Sequence, residues 1–141
     1  MNTTKTVTTA EVWTLLAAVF TDHRHLWQPL VVERMGLPFS RFRALRRIER
    51  RPMSGAGLAA ELGVDAPAAS LIVSDLADRG LVRKEPDESD GRRKIVTVTP
   101  QGRALMDDIR ALPGPVPGLE ALSPTELSTL HTLLAKVQGH R

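Results

Sequence analysis

Leu58-Ala59-Ala60-Glu61-Leu62-Gly63-Val64-Asp65-Ala66-Pro67-Ala68-Ala69-Ser70-Leu71-Ile72-Val73-Ser74-Asp75-Leu76-Ala77-Asp78-Arg79-Gly80, followed by Leu81-Val82-Arg83-Lys84-Glu85 and Lys94-Ile95-Val96-Thr97-Val98-Thr99, is the stretch that decides the fold. Its apolar positions change period partway along. Leu58 and Leu62 mark a short helix, which Ser54 can cap. Gly63 and Val64 make a tight turn, and Asp65 caps the next helix. There Ala69, Ile72, Val73 and Leu76 fall at i, i+3, i+4 and i+7, a one-sided apolar stripe that Gly80 closes. Beyond Gly80 the period drops to two. Leu81–Glu85 reads as a strand and Lys94–Thr99 as its partner, with Val96 and Val98 on one face and Ile95 and Thr97 on the other. Between them runs the polar loop Pro86-Asp87-Glu88-Ser89-Asp90-Gly91-Arg92-Arg93, with a glycine turn signal.

A short helix, a glycine turn, an amphipathic helix and a hairpin with a charged tip make a winged helix-turn-helix. The fold class expected is mainly α with a small β-hairpin wing (α+β), flanked by a helical dimerisation region. The expected divisions are 1–36 for an N-terminal dimerisation helix, 37–100 for the winged helix and 101–141 for C-terminal dimerisation helices.

Upstream, Thr8 and Glu11 form a capping box before a long helix carrying Val12, Leu15, Leu16, Val19, Phe20, His23, Leu26 and Trp27. Pro29 is expected to kink or interrupt it, and Gly36 with Pro38 to end it. A second helix covers Ser40 to Arg50 with Phe42, Leu45 and Ile48 inward. Arg43, Arg46, Arg47 and Arg50 share another side, either a solvated cationic stripe or a surface for phosphate or an anionic ligand. Downstream, Thr99-Pro100 starts a helix lined by Leu105, Ile109 and Leu112, which Pro113, Pro115 and Pro117 end. Ser123-Pro124-Thr125-Glu126 starts a last helix with a stripe of Leu127, Leu130, Leu134 and Val137.

The 141 residues are 42% hydrophobic, a globular composition for one domain, with a formal net charge of +3 that suits an acidic partner. There is no cysteine, so disulfides and thiolate metal sites are excluded. No apolar run reaches the roughly 20 residues of a membrane span, and the polar Met1–Val7 is no signal peptide, so a cytoplasmic protein without a membrane partner is expected. His23, His25, His131 and His140 are scattered without ligand spacing, so neither metal nor cofactor is expected. Gly55-Ala56-Gly57-Leu58-Ala59-Ala60 loosely fits a dinucleotide fingerprint but follows no strand of a βαβ unit. With no catalytic motif in view, the chain reads as no enzyme.

A recognition helix buries one face and offers the other to the major groove, while a wing tip reaches the minor groove. The residues so placed are Ser54, Asp65, Ala66, Pro67, Ala68, Ser70, Leu71 and Ser74, with Asp90, Arg92, Arg93 and Lys94 on the wing. The helix's outward face is plain: no Arg, Gln or Asn is there for a bidentate base contact. Asp75 and Asp78 would repel phosphate unless they lie away from it or pair with a cation. Trp13, Phe20, Trp27, Phe39 and Phe42 read as core or dimer packing, or as the lining of a ligand pocket. The pocket set is Trp13, Phe20, His23, Trp27, Phe42 and Arg46. The dimerisation set is Val12, Leu16 and Val19 with Leu127, Leu130, Leu134 and Val137.

The run Leu58–Val64 resembles the first helix and turn of the MarR family (multiple-antibiotic-resistance regulators). Leu76-Ala77-Asp78-Arg79-Gly80-Leu81-Val82 resembles its entry to the wing, Asp90-Gly91-Arg92 its Asp-x-Arg wing motif, and Val98-Thr99-Pro100-Gln101-Gly102-Arg103 its exit from the wing. The resemblance extends from about Thr9 to Val137. It implies a homodimer, held by the first, fifth and last helices, that sets two winged helices into adjacent major grooves of a pseudo-palindromic operator in double-stranded DNA. It also implies a repressor that a small aromatic or anionic effector relieves. The fifth helix is shorter than the family pattern, and Pro29 departs from it. The alternative is a winged-helix module for protein–protein contact without specific DNA reading.

Overall fold

The computed structural model describes residues 4–114 and 116–140; Met1–Thr3 of the polar leader, Pro115 of the proline run and Arg141 lie outside the described residues. The elements are α1 (Thr9–Met35), α2 (Phe39–Arg50), β1 (Met53–Ser54), α3 (Gly55–Leu62), α4 (Ala66–Asp78), β2 (Val82–Pro86), β3 (Lys94–Val98), α5 (Pro100–Arg110), α6 (Pro117–Glu120) and α7 (Pro124–Gln138). They form a mainly helical protein with one small sheet, the winged-helix architecture. Among the described residues no single helix is long and apolar enough to cross a membrane.

The chain divides into two compact units, one of residues 28–112 and the other of 1–27 with 113–141. The first is the winged helix. Its core holds the fully buried side chains of Leu45 and Ile48 from α2, Leu58 from α3 and Leu76 from α4. Val31 and Met35 from the end of α1 and Met106 and Ile109 from α5 are buried in the same unit. The sheet is antiparallel in the order β1-β3-β2. Val82 opposes Val98 and Lys84 opposes Val96, and Val82, Val96 and Val98 are buried. β1 joins as Met53 opposite Val96 and Ser54 opposite Ile95. Two residues are too short for any alternation, so this strand leaves no periodic trace in the sequence.

The turns use glycine where φ is positive: Gly63 (68°) after α3 and Gly80 (72°) after α4. Past Gly80, Thr99 Oγ1 donates to the Gly80 carbonyl at 2.6 Å and accepts the Gly102 N–H at 3.0 Å. The Thr99 N–H donates to the Leu81 carbonyl at 3.1 Å. The start of α5 thereby lies against the root of the wing.

In the second unit, the Thr8 N–H donates to Glu11 at 2.9 Å, and the Glu11 N–H donates to Thr8 Oγ1 at 3.2 Å, the expected capping box. Of the kink or interruption expected at Pro29, the interruption does not occur: α1 continues through it to Met35. A proline removes one N–H from the ladder, and the turns on either side carry the helix on. α5 stops at Arg110, leaving Leu112 just past its end. The short α6 was not signalled by any periodicity. α7 opens with the reciprocal Ser123–Glu126 capping box. No α7 residue is buried; Leu127, Leu134 and Val137 are exposed and Leu130 is half-buried.

Close packing at Gly102 gives a stability test. A Cβ there would lie 2.2 Å from the Leu81 carbonyl oxygen and 2.8 Å from Val98 Cγ2, whereas one at Gly55 meets nothing within 4 Å. Gly102→Ala should destabilise the protein by about 1–3 kcal/mol in chemical denaturation. Gly55→Ala should be neutral or stabilise by roughly 0.4–1 kcal/mol. Equal stabilities for the two variants would contradict the packing.

Candidate nucleic-acid interface

Two caps set the helix-turn-helix. Ser54 Oγ accepts the Gly57 N–H at 3.1 Å, and an Asp65 carboxylate oxygen accepts the Ala68 N–H at 2.8 Å. Between them the Val64 N–H returns to the Ala59 carbonyl at 3.1 Å, closing α3 around Gly63. Both predicted site residues thus hold helix ends with their side-chain oxygens.

α4 buries Ala69, Ile72, Val73 and Leu76 and turns the opposite side outward. Ala66, Pro67, Ser70 and Leu71 are exposed there, with Ala68 and Ser74 half-buried beside them. Asp75, on the flank, accepts two hydrogen bonds from the Arg41 guanidinium, at 2.9 Å from Nε and 2.5 Å from Nη2. The Arg41 side chain is 15% exposed and that of Asp75 33%. This pair cancels a negative charge on the flank of the outward face. Of the two alternatives the sequence left for Asp75, a place away from phosphate or a cation partner, the structure supplies the partner, Arg41, from a different helix.

The wing tip is a set of local bonds. The Asp87 carboxylate accepts the Ser89 N–H at 3.0 Å and its hydroxyl at 2.9 Å. These donors hold the Asp87 carboxyl below its usual range. The Asp87 N–H donates to the Arg93 carbonyl at 2.9 Å, and the Arg93 N–H to the Asp90 carbonyl at 3.0 Å. Asp90 Oδ1 accepts the Arg92 backbone N–H at 3.1 Å. Asp90 therefore grips the main chain of Arg92 and leaves its guanidinium to solvent. Arg92, Arg93 and Lys94 are exposed, and among the described residues no carboxylate lies within ion-pair distance of them. Sequence reasoning passed over Asp87; its signal is the Asp-x-Ser spacing of an Asx-turn.

On α2, Arg43, Arg46 and Arg50 are exposed. Arg47 donates to the Arg43 carbonyl at 3.0 Å and approaches Glu61 at 4.0 Å, while Arg51 pairs with Glu61. The helix's own acid, Glu49, is taken by Arg110 at 2.8 and 3.0 Å. That contact, with a second one to Asp107 at 2.6 Å, raises the Arg110 pKa further above its ordinary value. Of the cationic side of α2, Arg47 is met by Glu61, while Arg43, Arg46 and Arg50 form no ion pair among the described residues.

The six predicted pocket residues belong to two units, Trp13, Phe20, His23 and Trp27 to the terminal one and Phe42 and Arg46 to residues 28–112. Phe20, His23 and Trp27 converge with Leu16, Val19, Arg24 and Val116 around a groove of about 290 Å³ in the terminal unit. Phe20 and Trp27 meet edge to face at 5.9 Å, and His23 Nδ1 lies 2.8 Å from the Val19 carbonyl. Trp13 is 70% exposed and does not line the groove. Phe42 is buried in the winged-helix core, and Arg46 is on the open side of α2. Of the predicted dimerisation residues, Val12, Leu16 and Val19 are exposed or at its margin on α1, as are those of α7. Among the described residues no three His, Asp or Glu side chains gather as a metal site.

The Arg41–Asp75 bond can be weighed directly. Asp75→Ala should destabilise the fold by roughly 1–2 kcal/mol, less than a fully buried charge pair would, because both partners keep some contact with water. In a double-mutant cycle with Arg41→Ala the two losses should fall short of additivity by more than about 0.5 kcal/mol. Strict additivity would show that the pair contributes nothing.

Residues 35–93 match the model of the MarR family. No curated protein sequence matches the chain. Solved structures match along nearly its whole length. A mutant of MepR from a multidrug-resistant S. aureus clinical isolate is 16% identical with a TM-score of 0.76, covering 94% of this chain and 97% of that one. The transcriptional regulator BldR from Sulfolobus solfataricus is 24% identical at a TM-score of 0.59, covering 92% and 94%. A mutant of E. coli MarR complexed with operator DNA is 25% identical at 0.60, covering 89% and 92%. The stretch that matches the MarR family model lies on the winged helix just described, and the fold of these solved structures extends along nearly the whole chain, so the chain has the winged-helix fold of these regulators.

Proposed function

We propose that the protein is a sequence-specific DNA-binding transcriptional regulator that acts in the cytoplasm as a homodimer on a pseudo-palindromic operator. The observation that carries this reading is the pairing, on one winged helix, of an outward recognition face with a wing whose Arg92, Arg93 and Lys94 are exposed and, among the described residues, form no direct ion pair, with only Asp87 within electrostatic reach of Arg93. E. coli MarR, of similar fold, is complexed with operator DNA. The α4 side chains Ala66, Pro67, Ala68, Ser70, Leu71 and Ser74 face the major groove, and Ser54 and Asp65 present the helix ends beside it. Arg92 enters the minor groove, with Arg93 and Lys94 at phosphates.

The dimer uses both chain ends: Val12, Leu16 and Val19 of α1 with Leu127, Leu130, Leu134 and Val137 of α7. Residues 37–100 do the DNA reading. Support for the dimer is the open apolar stripe of α7, on which no side chain is buried. Two-fold symmetry then sets the half-sites about 10 base pairs apart. The protein is a repressor, relieved when a small aromatic or anionic effector occupies the groove at Phe20, His23 and Trp27. Leu16 and Val19 line that groove and also belong to the dimer stripe, so an occupant alters the surface on which the subunits meet. A protein–protein role without DNA reading is favoured only by the exposed Leu71, and salt-dependent binding to a duplex separates the two.

Arg92→Ala should weaken binding to every duplex and lower the salt slope by about one unit per wing, read from affinities at several salt concentrations. Unchanged slope and affinity would remove Arg92 from the interface. Leu130→Asp should turn a dimer into a monomer in sedimentation at micromolar concentration; unaltered mass would exclude α7 from the interface.

A further inference from the structure

Within residues 28–112, Leu71 is the most exposed large apolar side chain at 60%, while Leu30, Val32 and Val64 come next at 37%. Its position is central. It lies on α4 almost opposite the buried stripe, one turn after Pro67 and Ala68 and one turn before Ser74 and Asp75. None of the 13 residues of α4 is Arg, Lys, Asn or Gln, the side chains that read guanine or adenine with two hydrogen bonds. The serines supply single hydrogen bonds that any base edge can meet. Asp75, which could accept from cytosine, is already bound to Arg41. Asp78, exposed in the last turn of α4, can only accept a hydrogen bond and is repelled by phosphate; apart from it the chemistry left on this face is apolar, and the one apolar group on the floor of the major groove is the 5-methyl of thymine.

We propose that Leu71 is the specificity-determining residue of this protein, packing on a thymine methyl in each half-site with Pro67 and Ala68 closing the contact. The inference rests on the DNA-binding reading above and adds the base it requires. The helix then selects thymine by burying two apolar groups against each other, and the cationic wing supplies affinity that any sequence would feel.

The test uses the full-length protein. Duplexes selected from a random pool define the preferred site, and thymines in each half-site are then replaced by uracil, which removes the methyl and keeps the pairing. Leu71→Ala is measured on both sets. Leu71 is exposed, so the variant should unfold at the wild-type midpoint, and circular dichroism confirms that it is folded. Wild type should lose roughly fourfold in affinity per critical methyl removed. Leu71→Ala should bind thymine and uracil duplexes alike. A G·C consensus under α4, a uracil duplex bound as tightly as the thymine one, or equal losses for wild type and variant would overturn the assignment. If salt-dependent binding persists in those cases, only the role of Leu71 falls. If no duplex binds in a salt-dependent way, the DNA-binding reading falls and takes this inference with it.

Discussion

The root of the wing is closed by Thr99, and the winged helix depends on that closure. Its hydroxyl donates to the Gly80 carbonyl and accepts the Gly102 N–H, and its own N–H reaches the Leu81 carbonyl. Four segments meet at these bonds: the exit of α4, the first residues leading into β2, the end of β3 and the first turn of α5. Gly80 supplies the positive φ that brings the chain back from α4. Gly102 supplies a surface without a Cβ, so that α5 can lie on the Leu81 carbonyl. The direction of the wing relative to α4 is therefore set by bonds from the Thr99 hydroxyl and N–H to the main chain of its neighbours. Arg79, the residue after α4, extends the tie by donating to the Gly36 carbonyl at 3.2 Å. For the DNA binding proposed above this rigidity matters, because a loose wing would lose affinity to the entropy of ordering it.

Charge is divided with a similar logic. Asp75, Glu49 and Glu61, each on a helix of the winged unit, are paired with Arg41, Arg110 and Arg51. At the wing tip the acids Asp87 and Asp90 accept backbone N–H groups instead, which shapes the loop while leaving the neighbouring guanidinium groups to solvent. The carboxylates of this unit thus organise structure; on the wing Arg83 pairs with Glu85, while Arg92, Arg93 and Lys94 at the tip stay exposed. Such pairs add little stability where exposed. Their larger effect is on the field that an approaching polyanion meets.

Most of this architecture could be read in the residues. Caps at Ser54, Asp65, Thr99 and Ser123, glycine turns at 63 and 80, and the change of period after Gly80 are local signals, and each appears where local chemistry puts it. What could not be read is non-local or too short. β1 exists because β3 offers Met53 and Ser54 a partner, which no pattern in two residues can announce. Pro29 argued locally for a break, but a helix whose far end is anchored by buried Val31 and Met35 carries on through one missing donor. The outward residues of α4 follow from its stripe alone. Asp90 was also legible as a wing residue, though its partner turned out to be the main chain of Arg92. Phe42 looked like a pocket residue because an aromatic side chain suits either a core or a ligand; only packing decides, and here it lies in the core.

The terminal unit poses a different physical problem. α7 is a 15-residue helix with a full capping box and no buried side chain. A helix of that length is marginal in water on its own, and most helical stability in proteins comes from packing an apolar face. Its cap satisfies the first N–H groups, but a cap contributes about 1 kcal/mol and does nothing for exposed leucines. The stripe must therefore draw its stabilisation from outside α7. In the homodimer proposed above, that source is a second copy, and the stability of this unit becomes a function of protein concentration. The winged unit has its own buried core and needs no such help. Under that proposal folding and assembly are separable: residues 28–112 form around their own core, and the apolar stripe of α7 is covered only when two subunits join.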